Sequence, residues 1–300
     1  MLLINKKVNQ LIKKSVFVLA IIAIINAAQA QQPEPINPRF HHVHLNSTDP
    51  DAAIDYYTSK FKAERRRFSD ENDAVWTGDS WLLFNKVDTP PPSAMISALF
   101  HIGWGAVDMS GAYQEHVNSG TLFQTPLEDI SGRVGYPEGS ENFFFAYIDG
   151  PDHALIEINT ANNDEFGHVH LFSEDPIAAG EWYETHLGVR ITLQREERVY
   201  KGSQIGPSAS FRLNHVRVLI WPTAYLESID YEPWNGRQNL APTSGRVLDH
   251  IGVAVDDLDK AVEAMRRKGL EVILAPDDSG FARHAFLEGP DRITIELVEE

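Results

Sequence analysis

Along this chain a two-residue alternation of apolar and polar positions gives way to apolar positions at helical spacing, and the switch recurs four times. Four segments open the cycles: Phe40-His41-His42-Val43-His44-Leu45, Phe100-His101-Ile102-Gly103-Trp104, Phe166-Gly167-His168-Val169-His170-Leu171 and Leu248-Asp249-His250-Ile251-Gly252-Val253. Each reads as a short strand with a histidine near its start. A helix signal follows each one. Asp49-Pro50 precedes Ala53, Tyr56, Tyr57 and Phe61, and Asp175-Pro176 precedes Ala179, Trp182, Tyr183 and His186. Proline suits the first helical position because its missing N–H has no partner there anyway. Asp108 precedes Met109, Tyr113, His116 and Val117; Asp257 precedes Leu258, Ala261, Val262 and Met265, with Gly269 as the stop.

Strand-like runs come after the helices: Ala74 to Trp76, Trp81 to Val87, Asn142 to Ile158, Ser210 to Trp221 and His284 to Val298. The repeating unit is strand, helix, then further strands, so the expected fold class is α+β, built from four βαβββ modules. The first copy is most like the third (His-Val-His-Leu, then Asp-Pro) and the second like the fourth, the mark of a duplicated two-module unit. Breaks fall near Pro90-Pro91-Pro92, Ala161-Asn162-Asn163 and the Pro, Gly and Asn-rich stretch from Pro222 to Gly245. The expected layout is a linker over 31–38, an N-terminal two-module domain over 39–161 and a C-terminal one over 166–299. The insertion at 222–246 is long enough to serve as a lid. Gly150-Pro151-Asp152 and Gly289-Pro290-Asp291 are tight-turn signals between the closing strands, each followed by a glutamate, Glu157 or Glu296.

Composition changes this picture at one end. Lys6, Lys7, Lys13 and Lys14 precede an uncharged apolar run from Val16 to Ile25 and the small-residue pattern Ala28-Gln29-Ala30. Residues 1–30 therefore read as a signal peptide, too short in its apolar run to span a bilayer, and cleavage would leave Gln31 first. The expected location is periplasmic or secreted, with no membrane contact once the signal is removed. The net charge of -17 argues against nucleic acid as a partner. With no cysteine in the chain, disulfides are excluded and a metal must be held by His, Asp or Glu.

Taken half by half, the repeats supply His42, His101 and Glu157, then His168, His250 and Glu296. Two imidazoles and one carboxylate on one face of a divalent ion leave positions open for substrate. Iron(II) or manganese(II) is the expected metal, with zinc or nickel as alternatives. His44 and His170 stand two residues beyond proposed ligands, on the same strand face, and read as candidates for substrate contact and proton transfer. Arg133 and Arg283 are candidate anion contacts, and His41 and His153 read as surface residues.

These residues resemble the vicinal oxygen chelate superfamily, which includes glyoxalase I, fosfomycin-resistance transferases, bleomycin-binding proteins and extradiol dioxygenases, over essentially all of residues 39–299. The resemblance implies paired modules in curled mixed sheets, with metal ligands on first strands and a glutamate on the last. It implies a small-molecule substrate bound through neighbouring oxygens, with homo-oligomer formation left open. The extradiol type is the first reading, and it assigns Tyr147 as a hydrogen-bond donor to substrate and His215 as an acid–base residue. With modules paired half by half, Tyr147 and His215 fall in different halves. A glyoxalase-type isomerase or lyase, a fosfomycin-resistance-like transferase, and a non-catalytic binding protein for an aromatic or antibiotic ligand are the alternatives.

Overall fold

The computed structural model describes residues 36–69, 72–131, 142–278 and 282–300; the signal read over 1–30, most of the 31–38 linker, and Arg133 lie outside them. Each cycle becomes a module of four strands and one helix. Module one holds β1 (Arg39–Ser47), β2 (Glu64–Arg67), β3 (Asp73–Thr77) and β4 (Ser80–Lys86), and module two holds β5 (Leu99–Ala106), β6 (Phe123–Asp129), β7 (Phe144–Asp149) and β8 (Leu155–Thr160). Module three holds β9 (Phe166–Ser173), β10 (Ile191–Tyr200), β11 (Ser203–Leu213) and β12 (Val216–Pro222), and module four holds β13 (Leu248–Val255), β14 (Val272–Asp277), β15 (His284–Glu288) and β16 (Thr294–Glu299). The module helices are Pro50–Lys60, Met109–Asn118, Pro176–Leu187 and Leu258–Arg267. Each starts on the expected aspartate, whose carboxylate accepts from a backbone N–H of the first turn: Asp49 from Ala52, Asp108 from Gly111, Asp175 from Ile177 and Ala178, Asp257 from Lys260.

The second strand of every module escaped the sequence reading. These strands carry little apolar alternation, since they lie at the sheet edges with mostly exposed side chains; Glu64–Arg67 is exposed throughout.

The strands form two eight-stranded mixed sheets, and the sheets do not follow the sequence halves. One runs β14-β15-β16-β13-β1-β4-β3-β2, joining module four to module one; the other runs β10-β11-β12-β9-β5-β8-β7-β6, joining module three to module two. At the centre of each, two first strands pair antiparallel, β1 with β13 and β5 with β9. Alternation sends Val43, Leu45, Ile102, Val169 and Ile251 into one buried apolar cluster that draws on both sheets and the helices. The histidines of those strands therefore face the other way.

The Gly-Pro-Asp turns form as expected and also bind neighbouring modules. Asp152 takes a left-handed φ of 50° and Asp291 one of 57°. Asp152 accepts from Ser47 Oγ (2.6 Å) and Thr48 Oγ1 (2.6 Å) at the end of β1, while Asp291 accepts from Glu174 N (3.0 Å) at the end of β9.

The 222–246 insertion is packed rather than lid-like. Its short helix, Ala224–Ser228, and a following turn bury Leu226, Trp234 and Leu240 against Ile96, Phe100 and Phe172. Met95 N donates to Tyr231 Oη (3.1 Å) and Ala241 N to Ile96 O (2.7 Å). Buried apolar anchors of this kind make release as a lid expensive.

Because each sheet needs modules from both sequence halves, residues 36–161 expressed alone lack β13 and β9, the antiparallel partners of β1 and β5. Size-exclusion chromatography with light scattering should find that fragment dimeric or aggregated; a folded monomer would contradict the pairing.

Candidate metal centres

The cross-paired sheets bring the six expected ligands together, in trios different from those expected. The groups are His101, Glu157 and His168 between modules two and three, and His42, His250 and Glu296, with His44, between modules one and four. His42 and His101 do not share a centre, nor do His168 and His250, because their strands lie in different sheets. Half-by-half grouping is overturned by which first strands pair.

Each centre lies on a line of register partners running across its sheet. His168 stands opposite Gly103, and Gly103 beside Glu157; in the other sheet His42 stands opposite Gly252, and Gly252 beside Glu296. The glycines are required by close approach. A Cβ on Gly103 would lie 1.9 Å from Cε1 of His168, and one on Gly252 would lie 2.0 Å from Nδ1 of His42. In both sheets the imidazole crosses the glycine to reach the glutamate.

In the module two–three centre His101 Nε2 lies 2.9 Å from Glu157 Oε2 and 3.3 Å from His168 Nε2, which is itself 3.8 Å from that oxygen. Asn159 Nδ2 donates to the other oxygen, Oε1, at 2.6 Å and so holds the carboxylate in place. In the module one–four centre His42 Nε2 and His250 Nε2 each lie 3.1 Å from Glu296 Oε2. Asp249 orients His250 through Nδ1 at 2.6 Å, the carboxylate–histidine arrangement common behind metal ligands. Donor atoms around a first-row divalent ion at about 2.1 Å stand roughly 3.0–3.4 Å apart; the separations in both sets lie near that span except the wider 3.8 Å between His168 and Glu157.

Electrostatics point the same way. Burial pushes the Glu157 carboxyl up, but the His101 hydrogen bond and the charges of His168 and His101 hold it well below the usual carboxylate range. Glu296 is likewise depressed, with His250 and His42 outweighing burial. Burial lowers His168 to about 4, His42 to about 3 and His44 to about 4. His250 is opposed by burial yet raised by Asp249 and Glu296. An ionised carboxylate beside imidazoles that burial holds neutral, as at His168 and His42, is the protonation state a metal demands.

The two centres differ in access. The Glu157 side chain is 12% exposed and that of Glu296 is 4% exposed. Glu157 and His168 open into a cavity of about 250 Å³ walled by Phe143, Phe145, Tyr147 and Trp221, with His170 and His215 also on its surface. Tyr147 and His215, assigned to different halves from sequence, meet in this one cavity. Tyr147 is the register neighbour of Glu157. His215 Nε2 lies 3.2 Å from Ser80 Oγ, away from the trio, whereas the His170 ring is 4.7 Å from that of His101. His44 is 4.6 Å from His250, ring to ring, and joins the module one–four set as a fourth donor.

Leu83 and Leu219 are the register neighbours of His44 and His170 on the last strands of modules one and three, so those strands supply no ligand. His41 is not a surface residue; its Nδ1 lies 2.7 Å from Nδ1 of His42, with the side chain 6% exposed. His153 is exposed as expected. Arg283 is surrounded by Asp259, Asp278 and Glu299 and is not available to a substrate anion. Asn159, Asp249, Arg212 and Arg217 escaped the sequence reading. Asn159 was within reach of it, standing two residues after Glu157 on the same strand face.

The sequence model of the Glyoxalase/Bleomycin resistance protein/Dioxygenase superfamily matches residues 39–158 and 165–297. Among solved structures, glyoxalase I from Zea mays superposes with a TM-score of 0.65 at 16% identity, over 87% of this chain and 92% of that one. A variant of the same maize protein gives 0.66 at 15%, over 88% and 94%. At such identities the likeness is one of fold.

Replacing Gly103 by alanine should push the His168 ring off Glu157, remove one metal ion per chain by elemental analysis, and cost about 1–3 kcal/mol of stability. Asn159→Ala should weaken metal binding at that centre about ten- to a hundredfold, read by chelator competition. The imidazoles of His42, His44 and His168 stay neutral in the fold, whereas the unfolded chain takes up protons below the ordinary value of 6.5. Their contribution is therefore present above pH 6.5 and lost as pH falls toward about 4, with Glu157 and Glu296 adding to the loss below 4.5 and His250 opposing it. The melting temperature of metal-free protein should drop across that window, less steeply for His168→Gln; a flat profile would contradict the assignment.

Proposed function

Because this chain belongs to the Glyoxalase/Bleomycin resistance protein/Dioxygenase superfamily, we propose that it is an exported, divalent-metal-dependent enzyme that takes a small molecule through two neighbouring oxygens at His101, Glu157 and His168. The observation that carries the reading is the convergence of Glu157, His168, Tyr147, His170 and His215 on one cavity. Ring opening of the extradiol type with iron(II) is the chemistry it supports best, manganese(II) being the next candidate. Export rests on the signal-like segment at residues 1–30.

His101, Glu157 and His168 would hold the ion, which when bound supplies a Lewis acid for charge developing on the substrate oxygens. Glu157 offers Oε2 because Asn159 occupies Oε1. Tyr147 brings a phenol to the cavity wall beside Glu157, where it can donate to a substrate oxygen. His170, next to His101, is the better placed imidazole for moving a proton, and His215 lines the cavity from the β11–β12 turn. Phe143, Phe145 and Trp221 exclude water and offer faces to a planar ligand.

Leu219 in the last-strand position leaves this centre three protein ligands and open positions, which favours the oxygenase over a four-ligand isomerase. The module one–four centre, more enclosed and with His44 as a fourth donor, suits a supporting role.

Loading the protein with iron(II), adding catechol in air and following the yellow ring-fission product tests the proposal. Turnover should appear, fall to background in His101→Ala and Glu157→Ala, and survive in His250→Ala. Isomerisation of 2-oxoaldehyde adducts without ring fission would replace the oxygenase reading. Ligand binding unaffected by His101→Ala would replace catalysis with sequestration.

A further inference from the structure

The line of register partners through the module two–three centre extends beyond its ligands. From β11 to β7 it reads Arg212, Arg217, His168, Gly103, Glu157 and Tyr147, all projecting from one face of the sheet. The corresponding line through the other centre reads Trp76, Trp81, His42, Gly252, Glu296 and Phe286. Two arginines and a phenol thus stand where the duplicated frame has two tryptophans and a phenyl ring. Trp76 and Trp81 pack edge to face at 4.7 Å, whereas Arg212 and Arg217 both line the cavity.

Their charge is not neutralised. Among the described residues neither has a carboxylate partner, although Arg39, Arg65, Arg66, Arg67, Arg267 and Arg283 all do. Arg217 Nε is cut off from solvent without a hydrogen-bond partner, and Arg212 Nη1 donates only to the His215 carbonyl (2.8 Å). Among the described residues, Glu157 is the one acid on the cavity wall. In a chain of net charge -17, the partly buried Arg217 guanidinium, its Nε without a partner and no carboxylate paired with it, calls for an anionic ligand, and the more exposed Arg212 on the same cavity wall can assist.

We propose that the cavity selects an anionic substrate, a small molecule whose carboxylate is held by Arg217, assisted by Arg212, while its neighbouring oxygens meet His101, Glu157 and His168. Arg217 is one strand from His168 and Arg212 two, about 5 and 10 Å across the sheet, a span that fits a carboxylate carried on or near a single ring. The inference deepens the reading of this centre as the working site and rests on it.

The test compares catechol with 3,4-dihydroxybenzoate, the same ring carrying a carboxylate, in titrations of the full-length metal-loaded protein at low ionic strength. The carboxylate probe should bind about tenfold or more tightly. Arg217→Met should erase that preference while leaving catechol affinity unchanged, and Arg217→Lys should restore part of it, with melting temperatures confirming that both variants fold. Excess inorganic phosphate should compete only weakly; if it displaces the carboxylate probe at equal concentration, the site is a phosphate site and the proposal fails. Equal affinities in the wild type, or equal weakening of both probes in Arg217→Met, would also overturn it. If the preference and its loss are seen but no ring-fission product forms, the proposed chemistry fails and the anion site stands.

Discussion

Antiparallel pairing of first strands, β1 with β13 and β5 with β9, is the constraint on which the rest depends. It decides which modules share a sheet and which histidine meets which glutamate. It also puts a glycine opposite one imidazole in each sheet, Gly103 opposite His168 and Gly252 opposite His42, so that the ring can lie across the backbone and reach a carboxylate on the next strand. Any side chain at either glycine would occupy the space of the ligand itself.

Built on that frame, the two centres have diverged mainly through their surroundings, with His44 a fourth donor in one of them. Both keep two histidines and a glutamate, with the glutamate ionised against its own burial. Around Glu296, which is buried, His44 packs against His42 and His250, and His41 against His42. Around Glu157 the space opens between aromatic side chains and arginines. The two frames are equivalent in register, and the residues that differ along one line of register partners separate an enclosed centre from an accessible one.

Much of this was legible beforehand, for identifiable reasons. Helix starts could be read because an aspartate cap answers a local need, the orphan N–H groups of the first turn. The Gly-Pro-Asp turns were readable because only a few residues tolerate their backbone, and the six ligands because they repeat at matching positions. The edge strands were not readable, since an exposed strand such as Glu64–Arg67 carries no apolar alternation. Nor was the pairing of modules: His101 is equally compatible with a partner in module one or module three until the sheets are known. For the same reason Tyr147 and His215 could not be recognised as neighbours, and Arg217 looked like any polar residue on an alternating strand. Local chemistry leaves a local trace, whereas the choice between two similar surfaces far along the chain leaves none.

Module order also sets a sequence of assembly. Modules two and three adjoin in the chain, and the residues that meet in their sheet are close; His101 and His168 are 67 positions apart. The other sheet closes over a far longer span, with Arg39 and Asp256 separated by 217. Ring closure of the short span carries the smaller entropic penalty, and during synthesis its strands emerge together. The inner sheet, with its accessible centre, can therefore form first while β1 waits for the C-terminal module. Until β13 arrives, one side of β1 is an open sheet edge, exposed to pairing with other chains for as long as that wait lasts.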